Sequence, residues 1–485
     1  MTYDTVIRGA SVVDGSGADM FTADIAVAKG RIQRIAAPGA ITSPATELID
    51  ARGLYLTPGF IDVHTHDDIE VIHNPQVPAK ISQGVTTVIV GNCGISASPV
   101  VLKGDPPDPL NLLGDRSRFA YAQFSDYASA VKDARPNVNV AALVGHTSLR
   151  NNHMNDLQRT ATDAELAAMR AQLRAALQQG AIGLSSGLAY GSAKCADTAE
   201  VLEMVAELAQ QGGVYTTHLR TEFDRILEAL DEALMTAGEQ RVPLIVSHLK
   251  CAGRGNWGRS GEVLGMLENA SHKQKVACDC YPYTASSSTL DLEQVSDDIE
   301  IFITWSKPYP EQGGRSLSEI ARAWKLSRLD AAKKLQPAGA VYHCMSDEDV
   351  QKILAHPLTM VGSDGLPNDP HPHPRLWGAF PRVLAHYGRD LALFDLPTAV
   401  QKMSGLSAAN FSLQERGLIR EGYAADLVLM NYSELESVAN YAAPQAPTRG
   451  IHRVWVNGVC AYADGVVQDS RSGTFLFRSD SRINN

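Results

Sequence analysis

Residues 56–66 read LTPGFIDVHTH, a short apolar run that starts at a Pro-Gly turn and ends on two histidines. Seven more runs of that kind follow: VTTVIVGN (85–92), VNVAALVGH (138–146), AIGLSSG (181–187), GVYTTH (213–218), PLIVSH (243–248), KVACDCYPY (275–283) and TMVGSD (359–364). Between them lie helical stretches such as TDAELAAMRAQLRAALQQG (162–180) and DTAEVLEMVAELAQQGG (197–213). Each has apolar residues at three-and-four spacing, Thr or Asp at the start and Gly at the end. Strands alternating with helices form parallel βαβ units, and eight such strands predict a (β/α)8 TIM-like barrel.

The interval between the seventh and eighth runs is too long for one helix, which predicts an inserted segment over the barrel mouth at about 285–345. Both ends have a different texture. TVIRGASVVDG (5–15) and DIAVAKGRIQRIA (24–36) at the start, and GYAADLVLMNY (422–432) and GIHRVWVNGVCAYADG (450–465) at the end, read as strands and hairpins, with Asn-Gly a strong turn signal. The expected organisation is residues 1–57 and 417–485 as the two parts of a small β-sandwich domain, around the barrel at 58–416.

Composition narrows the class without naming a chemistry. Forty-three Lys and Arg stand against 54 Asp and Glu, a net charge of −11, so there is no basic excess to neutralise nucleic-acid or membrane phosphates. The start, MTYDTVIRGASVVDG, lacks a basic flank followed by an apolar core, and no apolar stretch approaches ~18 residues. The seven cysteines are odd in number and scattered. That is no disulfide framework and fits a reducing cytoplasm. Oligomeric state leaves no mark in the sequence.

Barrel chemistry sits at the C-terminal ends of the strands. Those ends here carry His64 and His66, Cys93, His146, Ser185 and Ser186, His218, His248, Tyr281 and Tyr283, and Asp364. Imidazole and thiolate are the ligands zinc prefers, and a catalytic zinc site keeps one position open. His64 and His66 are two apart and so point to one face of a strand. His218 and His248 are 30 residues apart, one βα repeat, which places them side by side. Each alone reads as a structural histidine; together, at matching strand ends, they read as metal ligands. Cys93, between glycines in VGNCGIS, faces the same rim as a thiolate ligand. Cys278 and Cys280 both point one way along their strand and read as packing or as a shell around the ligands. Asp364 is either an Asx-turn residue before Gly365 or a general base beside a metal-activated water.

These residues resemble those of the amidohydrolase superfamily. More narrowly, KISQGVTT (80–87), GNCGIS (91–96), SHLK (247–250), the YPY at 281–283 with its following serines, PAGA (337–340), GSDGLP (362–367) and HPHPRLWG (371–378) are similar to the N-acyl-D-amino-acid deacylases, or D-aminoacylases. The resemblance implies a tightly held zinc on Cys93, His218 and His248, and a weaker second site on His64 and His66 that shares Cys93. Many superfamily members bridge two metals with a modified lysine on strand four; GLSSG offers none, and Cys93 takes that place. Asp364 would take a proton from the attacking water and return it to the leaving amine. By resemblance Arg375 and Lys250 meet the substrate carboxylate, with Tyr190 and Tyr283 supplying hydroxyls. Ser287, Tyr342 and Met345 from the insertion line the pocket, as does His146. An acid-specific relative would carry arginine where Gln294 stands, so a neutral or broad D-side-chain preference is expected rather than D-glutamate or D-aspartate. A cyclic-amide hydrolase of the hydantoinase kind would be expected to use the missing lysine, and a scaffold protein to have lost ligands that this chain keeps.

Overall fold

The computed structural model describes residues 2–478. Eight parallel strands form the barrel: β1 (Phe60–Asp62), β2 (Val85–Val90), β3 (Asn139–Ala142, resuming at Val144–Gly145), β4 (Gly183–Gly187), β5 (Val214–His218), β6 (Leu244–Val246), β7 (Val276–Cys280) and β8 (Thr359–Val361). Each pairs in parallel with the next, as in Ser185 beside Thr216 and Ile245 beside Ala277. The ring closes between β8 and β1 through a parallel bridge of Thr65 with Gly365 and a hydrogen bond from Asp364 N to His64 O of 2.7 Å.

Strand alternation explains the core. Ile61, Val63, Ile89, Ala141, Leu143, Ile182, Val214, Ile245, Ala277 and Met360 pack together in the barrel interior. Residues of opposite parity, such as Val88, Val90 and Val140, join the larger core with the surrounding helices. Helix Asp163–Gln178 starts at Thr162, which forms a capping box with Glu165, and helix Thr198–Gln211 starts at Asp197, whose carboxylate accepts from Glu200 N. Truncating Ile245 to alanine opens a cavity in the interior layer. A loss of about 2–5 kcal/mol is expected, read as a lower urea midpoint at unchanged slope.

The two chain ends interleave in one nine-stranded sheet in which Tyr55–Pro58 pairs with Leu427–Met430. One face buries Ile7, Val12, Ile25, Leu56 and Trp455, and the other Val6, Ala26 and Ile41. Asn457 (φ 49°) and Gly458 (φ 78°) make the hairpin turn after Ile451–Val456; both left-handed residues match a type I′ turn. Between β7 and β8, Ser286–Thr289, Ile301–Ser306, Arg315–Ser316 and Ala338–Tyr342 form a separate four-stranded antiparallel sheet. Among the described residues no helix is long and apolar enough to cross a membrane.

Candidate metal centre and active site

Five strand ends converge. His64 and His66 follow β1, Cys93 follows β2, His218 ends β5, His248 follows β6 and Asp364 follows β8. His64, His66, Cys93, His248 and Asp364 are buried and His218 nearly so. Two groups result, each with donor atoms mutually within 4.8 Å: Cys93 with His218 and His248, and Cys93 with His64, His66 and Asp364. Cys93, His248 and Asp364 all take positive φ, at 54°, 35° and 50°. Non-glycine residues rarely adopt that region, and such backbone strain gathers at sites whose side chains must be aimed. At Gly362, before Asp364, a Cβ would lie 2.5 Å from His64 Cβ, so only glycine lets β8 approach that ligand.

The donor set fits zinc. Zn–S of ~2.3 Å and Zn–N of ~2.0–2.1 Å in a tetrahedron separate sulfur from nitrogen by about 3.6 Å. Cys93 Sγ lies 3.3 Å from His248 Nε2, 3.9 Å from His218 Nδ1 and 3.2 Å from His64 Nε2. Burial alone would push the Cys93 thiol up, but the charges of His64 and His248, with hydrogen bonds from His218 and His248, hold it well below the ordinary thiol range. The site therefore favours the thiolate that a metal needs.

Carboxylates behind the imidazoles orient them. Asp279 Oδ2 lies 3.4 Å from His64 Nδ1 and its Oδ1 accepts from His248 N at 3.0 Å. Glu222 Oε1 lies 3.0 Å from His248 Nδ1 and 2.5 Å from Lys250 Nζ. Holding Nδ1 of His64 and His248 leaves their Nε2 atoms facing Cys93, the usual device around a metal-binding histidine. Ser185, on β4, accepts from Gly94 N at 3.0 Å and donates to Gly91 O, clamping the Cys93 turn.

Asp364 Oδ1 faces His66 Nε2 at 3.3 Å and His64 Nε2 at 3.5 Å, and its Oδ2 pairs with Arg375 Nη1 at 2.9 Å. Burial opposes ionisation, but Arg375, His248 and His66 outweigh it and hold the carboxyl well below its ordinary range. Beside it opens a cavity of about 830 Å³ whose wall includes Tyr190, His218, Lys250, Ser287, Tyr342 and Asp364. Arg375 Nη2 donates to Ser287 O at 3.1 Å, while its Nε, the Tyr281 hydroxyl and Ser287 Oγ are buried without a hydrogen-bond partner among the described residues.

Arg375 stands beside Asp364 but outside the cavity wall, and three other expected pocket residues sit elsewhere. His146 starts helix His146–His153, and its Nε2 lies 2.9 Å from Glu200 Oε1, in a buried cluster with Arg150. It serves packing between helices because the chain turns outward directly after β3. Tyr283 stands edge-on to His373 at 5.0 Å and its hydroxyl donates to Pro374 O at 3.4 Å, away from the cavity. Tyr281 lies against the cations instead, 4.5 Å from Arg375 and 5.7 Å from Lys250. Met345 is buried outside the cavity wall, its amide held by Thr284 O at 3.1 Å. Cys278 packs outward on Thr359 Oγ1 at 3.3 Å, its thiol pushed up by burial to about 12. Asp279, between the two cysteines, escaped notice although alternation in CDC already turns it to the opposite, inward side. Glu222, in the loop after β5, carried no periodic signal.

Comparison with known proteins places this geometry in context. The sequence profile of the amidohydrolase family matches residues 47–462. The chain is 45% identical over 478 residues to a D-aminoacylase of Alcaligenes xylosoxydans xylosoxydans, covering 98% of each. It is 47% identical over 456 residues to an N-acyl-D-aspartate deacylase of the same organism, covering 94% of this chain and 91% of that one. An N-acyl-D-glutamate deacylase from Bordetella bronchiseptica, solved with zinc and a phosphonate mimic of the tetrahedral intermediate, superposes with a TM-score of 0.95 at 41% identity, covering 99% of this chain and all of the other.

Proposed function

Because this chain belongs to the amidohydrolase family, we propose that it is a metal-dependent hydrolase of linear amides that converts N-acyl-D-amino acids to a carboxylate and a free D-amino acid. The observation that carries the reading is the Asp364 carboxyl group, set within 3.3–3.5 Å of two imidazoles beside the Cys93–His218–His248 donor set, at the wall of a cavity bearing Lys250. We assign one tightly bound zinc to Cys93, His218 and His248, and a weaker second site to His64 and His66 sharing Cys93. Held by these residues, zinc would polarise the amide carbonyl and lower the pKa of a water from ~15.7 toward ~7.

Asp364 does the proton work. Its carboxylate is ionised and so accepts the proton of the attacking water, and it passes that proton to the departing nitrogen, which must leave as an amine. Arg375 holds Oδ2, which leaves Oδ1 toward the reacting side. Lys250, in the cavity wall, supplies a donor of the kind an α-carboxylate needs, and the unpartnered Arg375 Nε and Tyr281 hydroxyl lie buried outside that wall. Glu222 fixes Lys250 and His248 together, so substrate clamp and metal ligand share one anchor.

The outer cavity wall supports a neutral or broad side-chain preference. Gln294, Asp108, Asp291 and Glu293 line it. The cations there are already paired, Lys194 with Glu293 at 3.1 Å and Arg220 with Glu232 at 2.7 Å. A second carboxylate on the substrate would have to compete with Glu293 or Glu232 for these cations and would face Asp108 and Asp291 besides. All seven cysteines are unpaired, including the exposed Cys195, which supports a reducing compartment such as the cytoplasm. A panel of N-acetyl amino acids tests the assignment. Apolar and neutral polar D substrates are expected to turn over faster than D-Asp and D-Glu, with L substrates inert; equal rates on L substrates would remove the assignment.

A further inference from the structure

Beneath the site lies a lysine that the mechanism above does not use. Lys80, in the short helix Pro78–Ile81, is fully buried. Its Nζ lies 2.8 Å from Asp62 Oδ2 and 3.3 Å from Asp67 Oδ2, and donates to Ser363 Oγ at 2.8 Å. Ser363 in turn gives Asp62 two bonds, Oγ to Oδ2 at 2.6 Å and N to Oδ1 at 2.8 Å. Thr65 Oγ1 donates to Asp67 Oδ2 at 2.9 Å. Asp62 and Ser363 are 0% exposed and Asp67 is 1% exposed.

The positions of these partners carry the inference. Asp62 stands two residues before His64, Asp67 directly after His66, and Ser363 directly before Asp364. One ammonium thus ties together the peptide that bears two metal-ligand candidates and the peptide that bears the proton carrier. This is also where the barrel closes, with backbone bonds from Asp364 N to His64 O at 2.7 Å and from His66 N to Gly365 O at 3.1 Å. A Cβ on Gly365 would lie 3.1 Å from Lys80 Nζ, so the ammonium fills the underside of the turn that aims Asp364. Burying a lysine with two carboxylates is a poor way to gain stability, since apolar groups of similar size often serve as well or better.

We propose that Lys80, acting through Ser363, Asp62 and Asp67, is a positioning residue that sets His64, His66 and Asp364 in one frame. It touches neither substrate nor reacting atoms. The proposal rests on the reading of Asp364 as proton carrier, and the test separates the two. Ser363→Ala removes the hydroxyl that joins Lys80 to Asp62, keeps the Ser363 N bond to Asp62 and leaves every charge in place. Its kcat on an N-acetyl-D-amino acid is expected to fall about 10- to 100-fold, the usual cost of losing a supporting partner, at unchanged KM. The first zinc, and the thiolate-to-metal band of cobalt bound at Cys93, are expected to stay as in wild type. A second metal ion, titrated after the first, is expected to bind more weakly by the same order. That titration needs no turnover, so it reads the positioning even in a chain that hydrolyses no N-acyl-D-amino acid, a result that would overturn only the functional reading. Loss of either quantity with the first zinc intact supports the proposal. Wild-type kcat and wild-type second-ion affinity in Ser363→Ala overturn it, whatever the melting temperature. Lys80→Met is expected to deepen both losses; if it fails to fold, Ser363→Ala decides alone.

Discussion

Asp364→Asn is expected to lose about 100- to 10,000-fold in kcat while the protein keeps its zinc. Asparagine has the shape of aspartate and one carbonyl oxygen to offer Arg375 in place of Oδ2, so packing at this buried position survives. What disappears is a base. The amide cannot take a proton from water, and so has none to return to the leaving nitrogen. Cys93, His218 and His248 form a complete donor group without Asp364, which is why zinc content is expected to hold. Metal analysis beside steady-state kinetics checks both halves. Turnover per zinc within about tenfold of wild type would show that another group carries the proton, since general-base removal costs at least ~100-fold.

Cys93→Ser carries the second large effect. The Cys93 sulfur belongs to both donor groups, and it is the thiolate that His64 and His248 face across 3.2 and 3.3 Å. A serine hydroxyl stays protonated and is a poor partner for zinc. Serine also meets the same positive φ as cysteine, so added backbone strain does not confuse the result. Zinc affinity is expected to fall by more than the ~10- to 100-fold that loss of an outer supporting partner costs, with activity falling in step. Zinc content after dialysis and the cobalt–thiolate absorption band check this. A Ser variant with full zinc and full activity would remove Cys93 from the metal site.

Strand ends were readable because period-two alternation and the barrel rule together aim particular residues at one rim. His64, His66, Cys93, His218, His248 and Asp364 came from that logic, and the structure brings them to one place. Asp279 lay within reach of that logic through the alternation in CDC, whereas the other residues that escaped sit where no local period applies. Glu222 lies in a loop and Lys80 in a four-residue helix, and their significance comes from partners far away in the chain, 28 residues for Lys250 and 283 for Ser363. Tyr281 and Tyr283 show the limit within a single motif. Both follow β7, and only the turn of the chain after Cys280 decides that Tyr281 meets Arg375 while Tyr283 meets His373.

Taken by itself, the sequence determined the barrel, the insertion between its last two strands and the chemical types at the rim, because hydrophobic period and ligand chemistry are local properties. The tertiary structure decided which of those groups share a proton, a thiolate or an ammonium. Those pairings depend on ångström distances between segments up to 301 residues apart, as between Asp62 and Ser363, and such distances are set by barrel closure rather than by neighbouring residues.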